Sequence, residues 1–270
     1  GVSGDFVDIT VIDEALSFSH EIAADVPFDA SPFPWTTGTE IDGSNYKIRI
    51  LKANTATIYD TSDTAFTVDN TAPITTYAIN PVFPDGINGW YITVPTVTLS
   101  CSDALSGCLA GGTKYRWDGG SWNIYTVPFV ALQGSHTLEW YSEDQAVNAL
   151  SAHNVEVVQT QTIKVDTIAP TVAVTSVTAD GAYNAGDAIN VTLTFSEAVS
   201  STNTLTVTLD SGGTCSVPVL TNATTGTCTY TVAAGQNSSD LNVISIVPVG
   251  GVVEDVAGND STLVPTSNIA

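Results

Sequence analysis

The sequence contains no methionine, three histidines and few basic residues. Six Lys and Arg stand against 28 Asp and Glu, so the formal net charge is −22. A chain with this charge repels the phosphate backbone of nucleic acids and the anionic headgroups of lipids. Nucleic acid and membrane surfaces are therefore not expected partners.

Long apolar segments are also absent. No run of about 18 apolar residues occurs, which excludes a membrane-spanning helix, and no charged segment precedes a short apolar one as in a signal peptide. Because the chain does not begin with Met, we expect a processed product or an internal piece of a longer protein. A secretion signal or anchor would then lie outside it.

Sequence signals of catalysis are missing as well. The histidines, His20, His136 and His153, are scattered, and no Gly-x-Ser-x-Gly elbow, Gly-rich phosphate loop or His-rich metal motif occurs. The adjacent carboxylates at 143–144 and 254–255 would point to opposite faces of a strand. We therefore predict no catalytic residue and no enzyme.

The imbalance of charge is greatest after Pro170, where the sequence has no Lys or Arg. Carboxylates without basic partners repel one another, so they are either dispersed in water or gathered around a cation. The sequence alone leaves both interpretations open. The acids of this segment are Asp180, Asp187, Glu197, Asp210, Asp240, Glu254, Asp255 and Asp260.

The four cysteines form two close pairs, Cys101 with Cys108 and Cys215 with Cys228. Their spacings differ from those of zinc knuckles, and no histidine lies nearby to complete a ligand set. Two local disulfides are the better interpretation and imply an oxidising compartment. The alternative is four buried thiols in a cytosolic protein.

Alternation of apolar and polar residues with period two occurs almost throughout, whereas helical periodicity is absent. The clearest examples are residues 188–199, 204–211 and 227–234, which are rich in Val, Thr and Ile. Clusters of Gly, Asn, Asp and Pro separate these runs. The sequence predicts an all-β protein made of antiparallel immunoglobulin-like β-sandwiches in tandem.

A short segment occurs twice, as VDNTAP at 68–73 and as VDTIAP at 165–170. Proline fixes its own φ and biases the preceding residue away from helix, so each copy predicts an extended, stiff linker. Linkers at these positions divide the chain into predicted modules 1–68, 69–166 and 167–270. The last two have the length of a seven-stranded sandwich.

The first module resembles the KNH-type immunoglobulin-like domain of fungal cell-wall and bacterial surface proteins. The resemblance rests on GVSGDFVDITV, EIAADVPFD and GSNYKIRILKANTATIYDTSDTAFTV. That family normally begins with a PNGGE-like strand and a strand ending in tryptophan. Both are absent here, so we expect residues 1–68 to lack their first strands.

The second module resembles bacterial immunoglobulin-like repeats through TAPITTY, GWYITVPTVTLSCSDALSGC and GSHTLEWYSEDQAVN. The third resembles calcium-associated repeats of bacterial adhesins through DTIAPTVAVTSV, GDAINVTLTFSEAV and EDVAGND. These resemblances imply an extracellular or cell-surface structural protein: a stalk, an adhesin segment or a filament subunit.

The adhesin resemblance also implies structural calcium, because in such repeats the linker acid meets carboxylates near the facing ends of two modules. Calcium takes six to eight oxygen ligands. At the second linker the implied ligands are Asp166, Glu197, Asp255 and Asn259, with Asp187 as an outside candidate. At the first linker they are Asp69, Asp103, Asp144 and Asn148. The alternative is that Asp255 and Asn259 only form a tight turn.

Aromatic residues of the second module suggest a competing function, that of a carbohydrate-binding accessory module. Trp117 and Trp122 flank the DGG turn at 118–120 and are the candidate sugar contacts. The alternative is that they fill the core as cross-strand pairs. Exposed, coplanar rings would favour sugar binding.

Missing first strands would leave an open sheet edge at residues 5–12. We expect such an edge to be filled by β-strand addition, from preceding sequence outside this chain, from another copy of the chain or from another surface protein. The alternative is a truncated first module that is frayed. We also expect the last module, 167–270, to stop before its final strand, so the C-terminal residues 261–270 are a candidate donor. Repeated donation between copies would build a filament.

Four N-x-[ST] sequons begin at Asn190, Asn222, Asn237 and Asn259. Such triplets arise often by chance in Thr-rich sequence and need a host that glycosylates.

Overall fold

The structure is a computed structural model that describes residues 5–28, 30, 32–35, 40–55, 57–147 and 152–265. The described residues form β-strands and no helix, so the predicted all-β, immunoglobulin-like class is confirmed. In this part of the chain no helix has the length and hydropathy of a membrane span.

The chain forms two compact units. Unit 1 contains Gly1–Ala78, Thr98–Pro128 and Thr137–Gln161, and unit 2 contains Ile79–Val97, Phe129–His136 and Thr162–Ala270. Residues 69–166, expected from the sequence to be one module, thus contribute to both units.

The first five strands lie in unit 1 and form one antiparallel sheet. They are β1 (Phe6–Asp13), β2 (Phe18–Pro27), β3 (Gly43–Lys52), β4 (Tyr59–Thr61) and β5 (Phe66–Val68). Their order is β2-β1-β3-β4, with β5 also paired to β3. A small core of Val11, Tyr46 and Val68 covers one end of the sheet.

Strand β1 is an interior strand. It pairs with β2 along Phe6–Asp13 and with β3 along Val7–Ile12. The expectation of an open edge at residues 5–12 is therefore wrong, because both sides of this segment are hydrogen-bonded within the chain. Ser261 and Thr262 of the proposed donor segment also bond within the chain, to Val253 and Pro170, and residues 266–270 lie outside the described residues.

Two other segments of the first module contain no long strand. Residues 32–35 form no strand, because Pro32 and Pro34 lack the N–H groups that a ladder requires. Trp35 instead packs edge-on against Phe66, with ring centroids 5.9 Å apart. The run 57–68 is two short strands, β4 and β5, rather than one.

Ten strands follow the first linker. They are β6 (Ile74–Asn80), β7 (Trp90–Tyr91), β8 (Thr96–Ser102), β9 (Lys114–Trp117), β10 (Asn123–Ile124), β11 (Phe129–Val130), β12 (Gly134–Tyr141), β13 (Glu143–Val147), β14 (His153–Val155) and β15 (Gln159–Val165). The sheet orders are β10-β9-β12-β15-β7, β11-β8-β6 and β13-β14. Strands β7 and β15 are parallel. The predicted turn at 118–120 joins β9 to β10, with positive φ at Asp118 and Gly119.

The last seven strands all lie in unit 2. They are β16 (Val172–Thr175), β17 (Ala188–Ser201), β18 (Leu205–Leu209), β19 (Thr214–Val217), β20 (Ala223–Thr231), β21 (Val243–Pro248) and β22 (Val253–Glu254). They form one sheet in the order β16-β17-β20, with β22 on β17, and a second in the order β19-β18-β21. The alternating side chains Ile189, Val191, Leu193 and Phe195 of β17 are buried in the core.

Candidate metal centres

Three acidic side chains meet where β15 ends and the second linker begins. Asp166, Glu197 and Asp255 each place a carboxylate oxygen within 4.8 Å of the other two. Asp166 directly follows β15, Glu197 lies in β17 and Asp255 directly follows β22. The fold thus brings three distant parts of the sequence together, and we name this group the Asp166 cluster.

The turn after β22 holds Asp255 in place. Its Oδ1 accepts hydrogen bonds from the backbone N–H groups of Ala257, Gly258 and Asn259, at 2.7, 2.8 and 3.0 Å. Gly258 has a φ of +95°, which disfavours any residue with a Cβ. Asp255 is 3% exposed, so the turn fixes a buried carboxylate at the centre of the cluster.

Asn259 joins this turn to the linker. Its Nδ2 donates to the backbone carbonyl of Asp166 at 2.9 Å and to Oδ2 of Asp255 at 2.8 Å. The tight turn expected as the alternative to a metal site is therefore present. It is compatible with a metal, because the amide oxygen of Asn259 is not used by these bonds.

The electrostatics of the Asp166 cluster are unfavourable without a cation. Burial raises the pKa of Glu197, and the negative charges of Asp166 and Asp255 raise it further. The Glu197 carboxylate accepts no hydrogen bond from the described residues, and the chain after Pro170 has no Lys or Arg to compensate it. In the part of the chain that the structure describes, Glu197 therefore faces two carboxylates and forms no ion pair.

A second group of the same kind lies at the first linker. Asp69, Asp103 and Asp144 place carboxylate oxygens within 4.8 Å of one another, and Asp144 is fully buried. Oδ2 of Asp69 accepts from the N–H of Ser106 at 2.9 Å. Oδ1 of Asp103 accepts from the N–H of Gly107 at 2.7 Å. We name this group the Asp69 cluster.

Asn154 has the same role in the Asp69 cluster as Asn259 in the Asp166 cluster. Its Nδ2 donates to the backbone carbonyl of Asp69 at 3.0 Å and to Oδ2 of Asp144 at 2.7 Å. Sequence reasoning missed Asn154, because it looked for the amide four residues after the acid, at Asn148. Asn148 lies outside the described residues. The only available signal was an Asn on the strand that pairs with β13.

The Cys101–Cys108 disulfide closes the loop that carries Asp103 and Ser106. Backbone bonds then join this loop to β13, from Leu109 N–H to the Glu143 carbonyl and from Gln145 N–H to the Gly107 carbonyl, each 2.9 Å long. The disulfide therefore fixes Asp103 relative to Asp144. The second predicted disulfide, Cys215–Cys228, links β19 to β20 and so joins the two sheets of the last module. Both predicted disulfides are present.

The outside candidate Asp187 is not in either cluster. Its Oδ2 accepts from the N–H of Asn184 at 2.7 Å, and its carbonyl accepts from the N–H of Val232 at 2.9 Å. It caps the turn before β17. The adhesin resemblance was the basis for including it, whereas in the structure it stabilises a turn.

Within unit 2, the loop that carries Asp255 docks on the 85–90 loop. The N–H of Ile87 donates to the carbonyl of Ala257 at 2.8 Å, and Nδ2 of Asn88 donates to that of Val256 at 3.0 Å. A Cβ on Gly86 would lie 2.3 Å from the carbonyl oxygen of Ala257. The contact therefore requires glycine at position 86.

The linker acid itself is held by the same unit. Nε2 of Gln133 donates to Oδ1 of Asp166 at 2.8 Å, and the N–H of Asp166 donates to the carbonyl of Tyr91 at 2.8 Å. Asp166 is thus positioned by hydrogen bonds to both its side chain and its backbone.

The spacing of the oxygens suits calcium. Two oxygens bound to one calcium ion lie at most about 5 Å apart, because each Ca–O bond is about 2.3–2.6 Å long. The separations of at most 4.8 Å in both clusters meet this limit. Carboxylates with an amide oxygen are hard ligands, and neither cluster contains the His or Cys that zinc prefers.

The tryptophans of the second module form no open platform. Arg116 lies over the Trp122 ring, 4.3 Å from its centroid, and Tyr141 contacts the ring edge-on at 4.6 Å. Trp140 is buried and stacks on Tyr77. Trp117 is half-buried. This arrangement favours a packing role for Trp117 and Trp122 over stacking on a sugar ring.

The third predicted module is the part of the chain for which a known family was found. Residues 166–270 match the family model of a bacterial Ig-like domain. No curated protein and no solved structure matches the chain. The matched segment begins at Asp166 and includes the whole Asp166 cluster. Domains of this family are typically non-catalytic modules of surface or structural proteins.

Proposed function

We propose that the chain is a row of immunoglobulin-like modules from an extracellular structural or adhesive protein, in which calcium fixes the linkers. In this proposal residues 1–68 are a KNH-type domain, residues 69–166 a second Ig-like domain, and the row forms a stalk, an adhesin segment or part of a surface filament. One observation carries the proposal: the same arrangement of three carboxylates and one amide occurs at both linkers.

The residues of each cluster have different roles in the proposed site. Asp69 and Asp166 belong to the linkers, whereas Asp144 and Asp255 are buried carboxylates that backbone and amide donors hold in place. Asp103 and Glu197 complete the two sets. Calcium, when bound, supplies the positive charge that offsets the repulsion among the three carboxylates.

Asn154 and Asn259 orient the other ligands. Each ties the linker carbonyl to the buried carboxylate through its two Nδ2 hydrogens. The linker backbone and the buried acid therefore move together. Fixing the carboxylate with an ion would also fix the linker, which is the property a stalk requires.

An oxidising compartment agrees with this assignment. The chain has two disulfides. Disulfides are typical of cell-surface and extracellular proteins, because thiols in the cytosol are kept reduced. The large negative charge keeps such a protein soluble and separate from anionic surfaces.

Association with other copies or with other surface proteins is part of the proposal. Because β1 is interior, β-strand addition to the first sheet would have to use its outer strands, β2, β4 and β5. The exposed side chains Phe28, Ile58 and Tyr59 lie on or beside these strands.

Small-angle scattering and thermal unfolding, each in calcium and in excess chelator, test the function. Calcium should raise the melting temperature and narrow the distribution of particle lengths, because the linkers become stiffer. Magnesium at equal ionic strength is the control, since it prefers smaller and more regular sites. Superimposable scattering and melting curves in all three solutions would contradict the proposal.

A further inference from the structure

The four glycosylation sequons all lie in the Ig-like domain, and the fold treats them differently. Each requires an accessible Asn amide and a hydroxyl two residues later. Two sequons are held by hydrogen bonds of their asparagine side chains, one in a strand and one in a turn, and two are exposed. The four sequons cannot be distinguished in this way from the sequence.

The Asn190 sequon lies near the start of β17, in regular strand. This strand pairs with β16 and β20 on its two sides, and Val191, the central residue of the sequon, is fully buried. The hydroxyl of Thr192 donates to Oδ1 of Asn190 at 2.9 Å. Asn190 itself is half-buried, and its N–H donates to the hydroxyl of Thr178 at 2.8 Å, so this sequon is held in a strand and is not presented in a loop.

The Asn259 sequon is enclosed in the Asp166 cluster. A sugar on Nδ2 would replace one of its two hydrogens, so at least one of its hydrogen bonds to Asp166 and Asp255 would be lost. The hydroxyl oxygen of Ser261, the third residue of this sequon, is buried. Modification here is incompatible with the folded turn.

The remaining two sequons are exposed. Asn222 lies in the loop between β19 and β20 with a φ of +46°, and both it and Thr224 are exposed. Its Nδ2 makes no hydrogen bond within the described residues. Asn237 and the two serines that follow it, at 238–239, are exposed in the loop before β21. The single contact of the Asn237 Nδ2 is a long one of 3.3 Å, to Gly235.

We propose that Asn222 and Asn237 carry N-linked glycans in the native protein, and that Asn190 and Asn259 do not. The donor is an oligosaccharide linked through a diphosphate to a lipid. The amide nitrogen forms a bond to C1 of the first sugar, the C1–O bond to the diphosphate breaks, and the lipid diphosphate leaves with the electron pair. The amide loses one proton to a base.

The glycans would extend from loops into solvent and would leave the core unchanged. Substitution at Asn222 removes no hydrogen bond of its side chain, and the domain needs no rearrangement to admit a sugar at either site. The proposal is independent of calcium, because neither asparagine belongs to a cluster.

The test is peptide mass mapping of the protein purified from its native host. Trypsin cannot cut after Pro170, since no Lys or Arg follows, so proteases specific for Asp and Glu are used. We expect glycopeptides that contain Asn222 and Asn237 and unmodified peptides that contain Asn190 and Asn259. Unmodified Asn222 and Asn237, or a glycan on Asn190, would overturn the proposal.

Variants made in the same host identify the attachment atoms. N222Q and N237Q should each lose the mass of one glycan, whereas N190Q, the matched control, should lose none. T224A removes the sequon hydroxyl and leaves Asn222 in place, so it should abolish the first glycan without changing the asparagine. Retention of that glycan in T224A would also contradict the assignment.

Discussion

Replacing Glu197 with Gln should stabilise the protein relative to the wild type in chelator and destabilise it relative to the wild type when calcium is bound. The substitution keeps the size of the side chain and removes one of three negative charges from the Asp166 cluster. Without a cation, that charge only repels Asp166 and Asp255. With calcium bound, the same charge is a ligand.

The magnitude follows from the distances. Two unit charges 4.8 Å apart repel by about 3.5 kcal/mol at an effective dielectric constant of 20 and by about 0.9 kcal/mol in water. Since Glu197 is half-buried, we expect E197Q to raise the free energy of unfolding by about 1 to 2 kcal/mol in chelator. Calcium at a hundredfold excess over Kd stabilises the wild type by about 2.7 kcal/mol, and the variant should lose most of this.

The pKa of Glu197 gives the same prediction a pH dependence. Its folded-state pKa is raised above the ordinary value of 4.5. In chelator, at a pH between the unfolded and folded pKa values, the native state therefore binds more protons than the unfolded state does. The penalty is full above the folded pKa and is relieved as the pH falls through it towards 4.5. E197Q should remove this dependence.

Differential scanning calorimetry of both proteins, with and without calcium, measures these effects. E254Q is the matched control, because it removes one charge from the neighbour of Asp255, outside the cluster. If E197Q were destabilising in chelator, or if calcium stabilised E197Q as much as the wild type, the interpretation of the Asp166 cluster would be wrong.

Three further predictions concern the contacts that hold the clusters. G86A should destabilise unit 2 by about 2 kcal/mol through overpacking against Ala257 and should speed amide exchange at 255–259, whereas G181A, which has open space around it, should not. N154A should lower the free energy of unfolding by about 2–3 kcal/mol, because it removes the amide donor to Oδ2 of the buried Asp144 and to the Asp69 carbonyl and leaves only the backbone N–H of residue 154 on Asp144; a decrease below 0.5 kcal/mol in chemical denaturation would refute this. C101S/C108S should weaken calcium binding at the Asp69 cluster about tenfold or more and leave the Asp166 cluster unchanged. C215S/C228S should instead lower stability by about 3 kcal/mol. Equal calcium affinity in both double variants would contradict the role assigned to the first disulfide.

Local patterns in the sequence were enough for much of the fold. The alternation in 188–199 predicts β17 because a strand buried on one face must alternate, and Ile189, Val191 and Leu193 are the buried set. Both disulfides were predictable because each pair of cysteines is close in sequence, so the fold needs only a local turn to join them.

Features that depend on pairing between segments distant in the sequence were harder to predict. The interior position of β1 depends on β2 and β3 lying on its two sides, and no local pattern specifies which neighbours a strand has. Asn154 reaches Asp144 across the β13–β14 pair rather than within one turn. A fixed spacing in the sequence therefore identifies Asn259 but not its counterpart.

The number of calcium ions bound per chain tests the central claim most directly. Native mass spectrometry in calcium should show two ions on the wild type, one for each cluster. E197Q and D103N should each retain one, and the double variant should retain none. A wild-type chain that binds no calcium, or variants that bind as many ions as the wild type, would contradict the account.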